Sequence, residues 1–324
     1  MVAELTLQAG MRTMTVRPDD QLSDPHMPSS KVMPAVLFYP TYAPTRIMAM
    51  GPFAPEVAFN AEPADASEFP LKGLILLSHG TGGSLMAHYN LAQRLAQNGY
   101  LVAALQHAGD NWNDRSLVLS PHYFSERAQQ LSRMLDVILA DPKWQGKIPL
   151  GRIGALGHSA GGFSVLSLAG GIADRQLGQQ HCRATEDDHL FCALVGDSDG
   201  MMGNVQVVDV MDTRIKAVFA MAPNGILFTP TSLSRIAVPL QVVTAEKDRV
   251  LPAQYHATWL RAHLPQATFE EVENAGHFAF MAQPSTALPS DAGDAAENPP
   301  GFNRAAYLLR LEQQVVVFFD QNLP

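Results

Sequence analysis

The stretch Arg152-Ile153-Gly154-Ala155-Leu156-Gly157-His158-Ser159-Ala160-Gly161-Gly162 decides the fold of this chain. An apolar, strand-like run ends in Gly-His-Ser-Ala-Gly, and a run of small and apolar residues that suits a helix follows at 163–169. The pattern predicts a strand, a sharp turn and a helix, with Ser159 at the apex of the turn. Glycines two positions before and after the serine leave room for such a turn, whose strained backbone would hold the hydroxyl above the sheet.

The predicted start of the helix bears on the chemistry of Ser159. Because the helix begins directly after the serine, its free N–H groups and the positive end of its dipole would point to the place where an oxyanion forms. This arrangement suits a serine that attacks a carbonyl carbon. The pattern therefore indicates that Ser159 is a nucleophile.

A second Gly-x-Ser-x-Gly sequence, at 196–200, also follows an apolar run. The residues after it begin Met-Met-Gly-Asn and continue with β-branched side chains, which are a poor start for a helix. Asp197 and Asp199 would also oppose a negative charge that develops beside Ser198. Ser159 is therefore the predicted nucleophile, and Ser198 is predicted to be a loop residue.

Composition limits the classes of partner. The chain has 324 residues, 47% of them hydrophobic, and a net charge of −9 without a block of like charges. A nucleic acid or an anionic membrane would want a basic face, so neither is an expected partner. No apolar run approaches the length of a membrane span, and the first residues do not look like a signal peptide. We expect a soluble protein, cytoplasmic if the chain is complete and periplasmic or secreted if a signal peptide has been removed.

The two cysteines, Cys182 and Cys192, are ten positions apart. Without a Cys-x-x-Cys pair nothing suggests zinc, and we expect no metal and no cofactor. A local disulfide and two reduced thiols are both open, and the disulfide would need an oxidising compartment. The sequence leaves the oligomeric state open.

Strand and helix patterns alternate from residue 73 to the end of the chain, which predicts a mostly parallel central sheet with helices on both faces. Before residue 73, the runs 11–16 and 35–39 predict an antiparallel hairpin, and 51–70 predicts an irregular surface connection. The segment 170–214 has no clean period and is predicted to be a lid-like insertion over the strand ends, after the serine helix. We expect a single α/β domain that spans 1–324. Buried strands are predicted at 74–77 and 100–105, further strands at 215–221, 240–245 and 267–272, and helices at 85–98, 253–263 and 305–322.

A serine hydroxyl is a weak nucleophile, and it needs a base and an acid that orients the base. His277 lies in a glycine-containing loop after a predicted strand, and Asp248 follows the preceding strand. The chain order Ser159, Asp248, His277 is the order that hydrolases with a nucleophile elbow use. Asp248 could instead cap a turn before Pro252, Glu246 is a rival acid, and His277 could be a structural loop histidine. His158 is predicted to pack beside the site and to support it.

The glycines at 80, 82 and 83 follow another predicted strand end and would let the backbone approach a substrate. The N–H groups of Thr81 and Ala160 are the predicted oxyanion hole. A tight strand-to-helix turn would need the same glycines, and the two interpretations are compatible.

The insertion and the loop 282–303 are predicted to shape a substrate pocket. Phe191, Leu194, Met201 and Met202 offer an adaptable apolar surface, and the arginines of the insertion are scattered, which favours a neutral ester of short or medium length. The alternative is that the segment 170–214 only covers an exposed end of the sheet.

Several motifs along the chain are shared with one group of proteins: Phe38-Tyr39-Pro40-Thr41, Leu77-Ser78-His79-Gly80-Thr81-Gly82-Gly83, Gln106-His107-Ala108-Gly109-Asp110, Gly157-His158-Ser159-Ala160-Gly161-Gly162, His181-Cys182 with Phe191-Cys192, and Ala275-Gly276-His277-Phe278. With these motifs nearly the whole chain resembles the α/β-hydrolase superfamily, and within it the bacterial predicted dienelactone hydrolases, relatives of platelet-activating factor acetylhydrolase. The resemblance implies the α/β-hydrolase fold and a Ser-His-acid machinery, and it is weakly specific for substrate.

Two departures from these relatives matter. True dienelactone hydrolases have a cysteine nucleophile where this chain has Ser159, so lactone specificity does not carry over. The acetylhydrolase has its acid one strand earlier, where this chain reads Ala-Pro-Asn-Gly at 222–225, so Asp248 is the better candidate. The His-Cys and Phe-Cys motifs favour a Cys182–Cys192 disulfide if the protein matures outside the cytoplasm.

The sequence thus predicts a serine hydrolase of carboxylic esters that works through an acyl-enzyme. Ser159 would attack the carbonyl, His277 would take and return the proton, and Asp248 would orient His277. An amidase or lactonase with the same three residues, and a catalytically silent binding protein of the same fold, are the alternatives.

Overall fold

The computed structural model describes residues 6–17, 31–118, 120, 122–195 and 209–324. These residues form a ten-stranded sheet, a two-stranded hairpin and the helices around them. The strands are β1 Gln8–Val16, β2 Met33–Thr41, β3 Arg46–Ile47, β4 Glu56–Phe59, β5 Gly73–Ser78, β6 Tyr100–Leu105, β7 Ile153–His158, β8 Ile215–Met221, β9 Leu240–Ala245, β10 Thr268–Val272, β11 Pro289–Ser290 and β12 Gly293–Asp294. The helices are α1 Tyr89–Gln97, α2 Tyr123–Ala140, α3 Ala160–Leu168, α4 Arg175–Ala184, α5 His189–Val195, α6 Pro230–Leu233, α7 His256–His263 and α8 Arg304–Asn322.

The large sheet has the order β10-β9-β8-β7-β5-β6-β2-β1-β4-β3. Strands β6, β5, β7, β8, β9 and β10 are parallel neighbours. The predicted N-terminal hairpin is confirmed, because β1 pairs antiparallel with β2 from Gln8 opposite Thr41 to Val16 opposite Met33. The sheet is therefore mostly parallel, as the alternation of strand and helix patterns predicts.

Apolar side chains of the sheet pack on both faces. In β5, Leu74 and Leu76 belong to the hydrophobic core that contains α2 and α3, whereas Ile75 and Leu77 belong to the core that contains α1 and α8. A strand that is buried on both sides has no polar face, which explains the continuous apolar run in the sequence. This layering brings the C-terminal ends of the parallel strands to one edge, with helices on either side.

Three segments differ from the sequence predictions. The segment 51–70 contains β4, which pairs with β1 and β3 and buries Val57, so it is not wholly irregular. Helix α1 begins at Tyr89 rather than at 85, although Gly99 with its φ of +96° follows its end as predicted. The insertion contains the helices α4 and α5, whose short length and mixed burial hide a helical period in the sequence.

A disulfide joins the two helices of the insertion. Cys182 in α4 and Cys192 in α5 are bonded, with their Cα atoms 5.6 Å apart. Of the two arrangements that the sequence leaves open, the structure has the disulfide. Among the helices of the described ranges, none has the length and apolar character to cross a membrane.

Candidate active site

Ser159 lies in a sharp turn between β7 and α3, with φ of +57° and ψ of −120°. Such a backbone costs about 1–3 kcal/mol for a residue with a side chain, so the surroundings must hold it. The serine N–H donates to the carbonyl of Met221 at 2.9 Å. A Cβ on Gly157 would collide with the carbonyl of Gly161, and a Cβ on Gly161 would collide with that of Ser78. These glycines are therefore required by the close approach of backbone to backbone.

Asp248 and His277 are hydrogen-bonded. The Nδ1–H of His277 donates to Oδ2 of Asp248 at 2.7 Å, and both side chains are buried. The other carboxylate oxygen of Asp248 accepts the backbone N–H groups of Val250 at 2.8 Å and Leu251 at 2.9 Å. Because Nδ1 carries the proton in this bond, the neutral imidazole has a free lone pair on Nε2. His277 thus has the tautomer that a general base needs.

The structure distinguishes the two candidate acids, Asp248 and Glu246, by their hydrogen-bond partners. One oxygen of Asp248 caps the following turn while the other accepts from His277, so capping and orienting coexist in one carboxylate. Glu246 points elsewhere: it accepts the backbone N–H of Asn274 at 2.7 Å and pairs with Lys247 at 2.9 Å.

His158, the residue before Ser159, supports the backbone of His277. Its Nε2–H donates to the carbonyl oxygen of His277 at 2.9 Å, and the two ring centroids are 4.8 Å apart. Burial and the neighbouring His277 hold the pKa of His158 well below its usual value. His88 lies next along this row, with its ring centroid 5.2 Å from that of His158, and burial lowers the pKa of His88 to about 4. Both supporting imidazoles are therefore neutral near pH 7.

The loop that follows β5 lies against the serine. A Cβ placed on Gly80 would be 3.2 Å from the Cβ of Ser159. The carbonyl of Gly80 accepts from the N–H of Gly83 at 3.0 Å and from Nδ1 of His79 at 2.7 Å, which fixes the peptide group to which the N–H of Thr81 belongs. Within the described ranges no partner occupies that N–H. The N–H of Ala160 is the first of α3 and has no partner within the helix.

Of the four predicted pocket residues, the structure describes Phe191 and Leu194, which differ in burial. Phe191 is only 2% exposed and packs against the rings of His256 and His181, so it presents no surface to a ligand in this structure. Leu194 is 39% exposed. Met201 and Met202 lie outside the described residues, as does the rival serine at 198. In the part of the chain that the structure describes, no group of three or more His, Cys, Asp or Glu could hold a metal ion.

A buried ion pair beside the Gly80 loop is not among the features predicted from the sequence. Nη1 of Arg127 lies 2.6 Å from Oδ2 of Asp110, and the two side chains are 1% and 0% exposed. In the sequence the motif 106–110 carries only the family resemblance and does not identify Asp110 as half of an ion pair. A signal was nevertheless present, because Arg127 falls four residues before Leu131 on the apolar face of α2, where a charge has no place without a partner.

Comparison with known proteins bears on the fold. No family profile matches the sequence, and no curated protein matches it. A solved structure of a ferulic acid esterase from Streptomyces cinnamoneus is similar, with a TM-score of 0.63 and 19% sequence identity over 99% of this chain and 91% of that one. The narrower resemblance to dienelactone hydrolases and platelet-activating factor acetylhydrolase stays a prediction. The chain has the α/β-hydrolase fold.

Proposed function

We propose that this protein is a serine hydrolase that cleaves carboxylic esters of small or medium neutral substrates, through an acyl-enzyme and without a cofactor. The observation that carries the proposal is the hydrogen bond between Asp248 and His277, in a loop that also touches the residue before the strained Ser159. The similarity to a ferulic acid esterase favours ester hydrolysis among the reactions of this fold.

In the proposed mechanism Oγ of Ser159 attacks the ester carbonyl while Nε2 of His277 takes its proton. Asp248 holds the imidazole in the required tautomer and stabilises the imidazolium that forms. The N–H groups of Thr81 and Ala160 donate to the oxyanion of the tetrahedral intermediate. Collapse of the intermediate breaks the bond to the alcohol, which receives the proton from His277. Water, activated by His277, then hydrolyses the acyl-enzyme and restores the serine.

The substrate class rests on charge. Arg214, the last arginine of the insertion, directly precedes β8 and is paired with Asp212 at 2.6 Å and Asp136 at 2.5 Å, so it lies at the edge of the sheet opposite the proposed site. The arginines of the insertion are scattered in the sequence, so we propose acyl and alcohol groups without net charge. We propose that the segment 170–214 shapes the pocket within a single domain, with Leu194 as an exposed apolar side chain from the described part of the insertion.

A fluorophosphonate probe tests the reaction class, because it labels an activated serine irrespective of the acyl group. Mass spectrometry should find the label on Ser159 in the wild type and no label in Ser159→Ala, while Ser198→Ala should label normally. Absence of labelling in the wild type would favour a silent binding protein of the same fold.

A series of nitrophenyl esters of increasing chain length, extended with an ester of ferulic acid, tests the substrate class. Matched amides and lactones belong in the same experiment. Faster turnover of an amide or a lactone than of every ester would replace the proposed activity by the alternative one.

A further inference from the structure

The Asp110–Arg127 ion pair lies in the core, where both charges lose their hydration. Removing two charges from water is costly, and the mutual attraction of the pair repays that cost only with excellent geometry and further hydrogen bonds. Both side chains are almost wholly buried, and the pair has such further bonds. A buried ion pair is weak evidence for stability, so the hydrogen bonds that Asp110 and Arg127 make to other residues indicate their role.

Those contacts lead to the loop of the proposed oxyanion hole. Oδ1 of Asp110 accepts the backbone N–H of Gly82 at 2.8 Å, and Nη2 of Arg127 donates to the carbonyl oxygen of His79. The two anchored peptide groups flank the peptide group between Gly80 and Thr81. The carbonyl of this group also accepts from Gly83 and His79, while the adjacent glycines, of which Gly82 has a φ of +64°, would leave the two flanking groups free to rotate without the ion pair. The ion pair thus fixes the direction of the Thr81 N–H from both sides.

Tyr123 extends the network to the side chain of Thr81. Its hydroxyl donates to Oδ2 of Asp110 at 3.1 Å and lies 2.7 Å from Oγ1 of Thr81. Burial and the charge of Asp110 raise the pKa of Tyr123, so the hydroxyl keeps its proton and its role as donor. Thr81 is therefore held through its side chain as well as through its backbone neighbours.

Arg127 also reaches the other side of the site. Its Nε donates to Oγ of Ser164 at 3.2 Å, and that hydroxyl donates to the carbonyl oxygen of Ala160 at 2.7 Å. The first turn of α3, which supplies the second proposed oxyanion donor, is thereby joined to the same guanidinium as the Thr81 loop. One planar side chain with five donors can hold both elements at once, which a lysine could not.

We propose that Asp110 and Arg127 are positioning residues, which set the N–H groups of Thr81 and Ala160 at the spacing that a tetrahedral oxyanion requires. The inference rests on the proposed function. Neither residue touches the substrate, and each acts through the loop and the helix turn that it anchors. The network should therefore stabilise the tetrahedral state more than the bound ester.

Two variants and a matched control test this inference. Asp110→Asn keeps the shape and removes the charge, and Tyr123→Phe removes only the hydroxyl that links Asp110 to Thr81. Glu126→Gln is the control, since Glu126 is equally buried on α2 but pairs with Arg133 and does not contact the loop. For each protein kcat and KM are measured with a nitrophenyl ester, together with the inhibition constant of a trifluoromethyl ketone, which forms a tetrahedral adduct with the serine, and the melting temperature.

Asp110→Asn should lower kcat by roughly 10²-fold, the effect of losing an oxyanion donor. The inhibition constant of the ketone should rise by a similar factor, while KM changes little. Tyr123→Phe should lower kcat by about threefold to tenfold, the effect of one hydrogen bond. If both variants have wild-type kcat and ketone affinity, as Glu126→Gln should, and differ only in melting temperature, the pair is structural and the inference is wrong. Should Asp110→Asn not fold, the result for Tyr123→Phe decides by itself. A wild type that the fluorophosphonate does not label would instead overturn the proposed function, and the inference with it.

Discussion

The replacement Asp248→Asn tests the arrangement at the centre of the proposed function. The carboxylate uses one oxygen for the N–H groups of Val250 and Leu251 and the other for His277. An asparagine has one oxygen and one NH₂ group, so it cannot accept on both sides. Its orientation is therefore set by competition between the backbone donors and the imidazole.

The backbone donors should win that competition. If the amide oxygen faced His277, the NH₂ group would meet two buried N–H donors and leave both unpaired, at about 1–3 kcal/mol for each. With the oxygen on the backbone side, the NH₂ group faces Nδ1 of His277 and stabilises the tautomer that carries its proton on Nε2. That tautomer cannot accept a proton from Ser159. We expect kcat to fall by roughly 10⁴-fold, as in known triads, which corresponds to about 5.5 kcal/mol of barrier.

The assay is the release of nitrophenol, with the rate of fluorophosphonate labelling as a second reading. Glu246→Gln is the matched control, because Glu246 lies two residues away and bonds to Asn274 and Lys247 instead. This control should retain the wild-type rate. A near-normal rate in Asp248→Asn, or an equal loss in Glu246→Gln, would refute the assignment of the acid.

Three further predictions concern the nucleophile, the disulfide and acid stability. Ser159→Ala should reduce turnover by about 10⁶-fold, and activity that survives there but is lost in Ser198→Ala would move the nucleophile. Cys182→Ser should lower the free energy of unfolding by about 2–3 kcal/mol in urea titrations, as should reduction of the Cys182–Cys192 bond with dithiothreitol; an unchanged midpoint in both would contradict this. Burial lowers the pKa of His88 to about 4, below its usual 6.5, so the wild type loses stability as the pH falls from 6.5 towards 4. His88→Asn keeps a donor for the carbonyl of Phe280 but cannot titrate. Over that pH range its free energy of unfolding should fall by on the order of 3 kcal/mol less than that of the wild type. Equal falls in the two proteins would show that His88 does not titrate as inferred.

Local patterns carried most of the fold prediction. The serine elbow depends on glycines within two residues of Ser159, and the buried strands are short apolar runs, so both features can be predicted from adjacent residues. The choice of Asp248 and His277 rests on the rule that the ends of parallel strands meet at one edge and on the chain order of serine, acid and histidine. The hydrogen bond between their side chains agrees with that choice, although their catalytic role stays a proposal.

Features that depend on distant contacts were not predictable in the same way. Strand β4 is four residues long and is stabilised by pairing with β1, which lies more than forty residues earlier. The Asp110–Arg127 network joins the Thr81 loop, α2 and α3, and each of its hydrogen bonds is specific to the tertiary structure. The burial of Phe191 likewise follows from its contact with His256, 65 positions along the chain.

The described part of the insertion is fastened to the body of the protein at Asp188. Its Oδ2 is bonded to Nε2 of His181 at 2.8 Å and to Nε2 of His256 at 3.0 Å. Nδ1 of His256 accepts the N–H of Gly225, so its Nε2 must be the donor to Asp188. Asp188 lies within the ring closed by the disulfide, and His256 begins α7, in the segment that follows Asp248. Lifting the insertion would break the bond to His256 and leave its buried Nε2–H without a partner, whereas Asp188 would keep His181, so the Asp188–His256 bond holds α4 and α5 to α7.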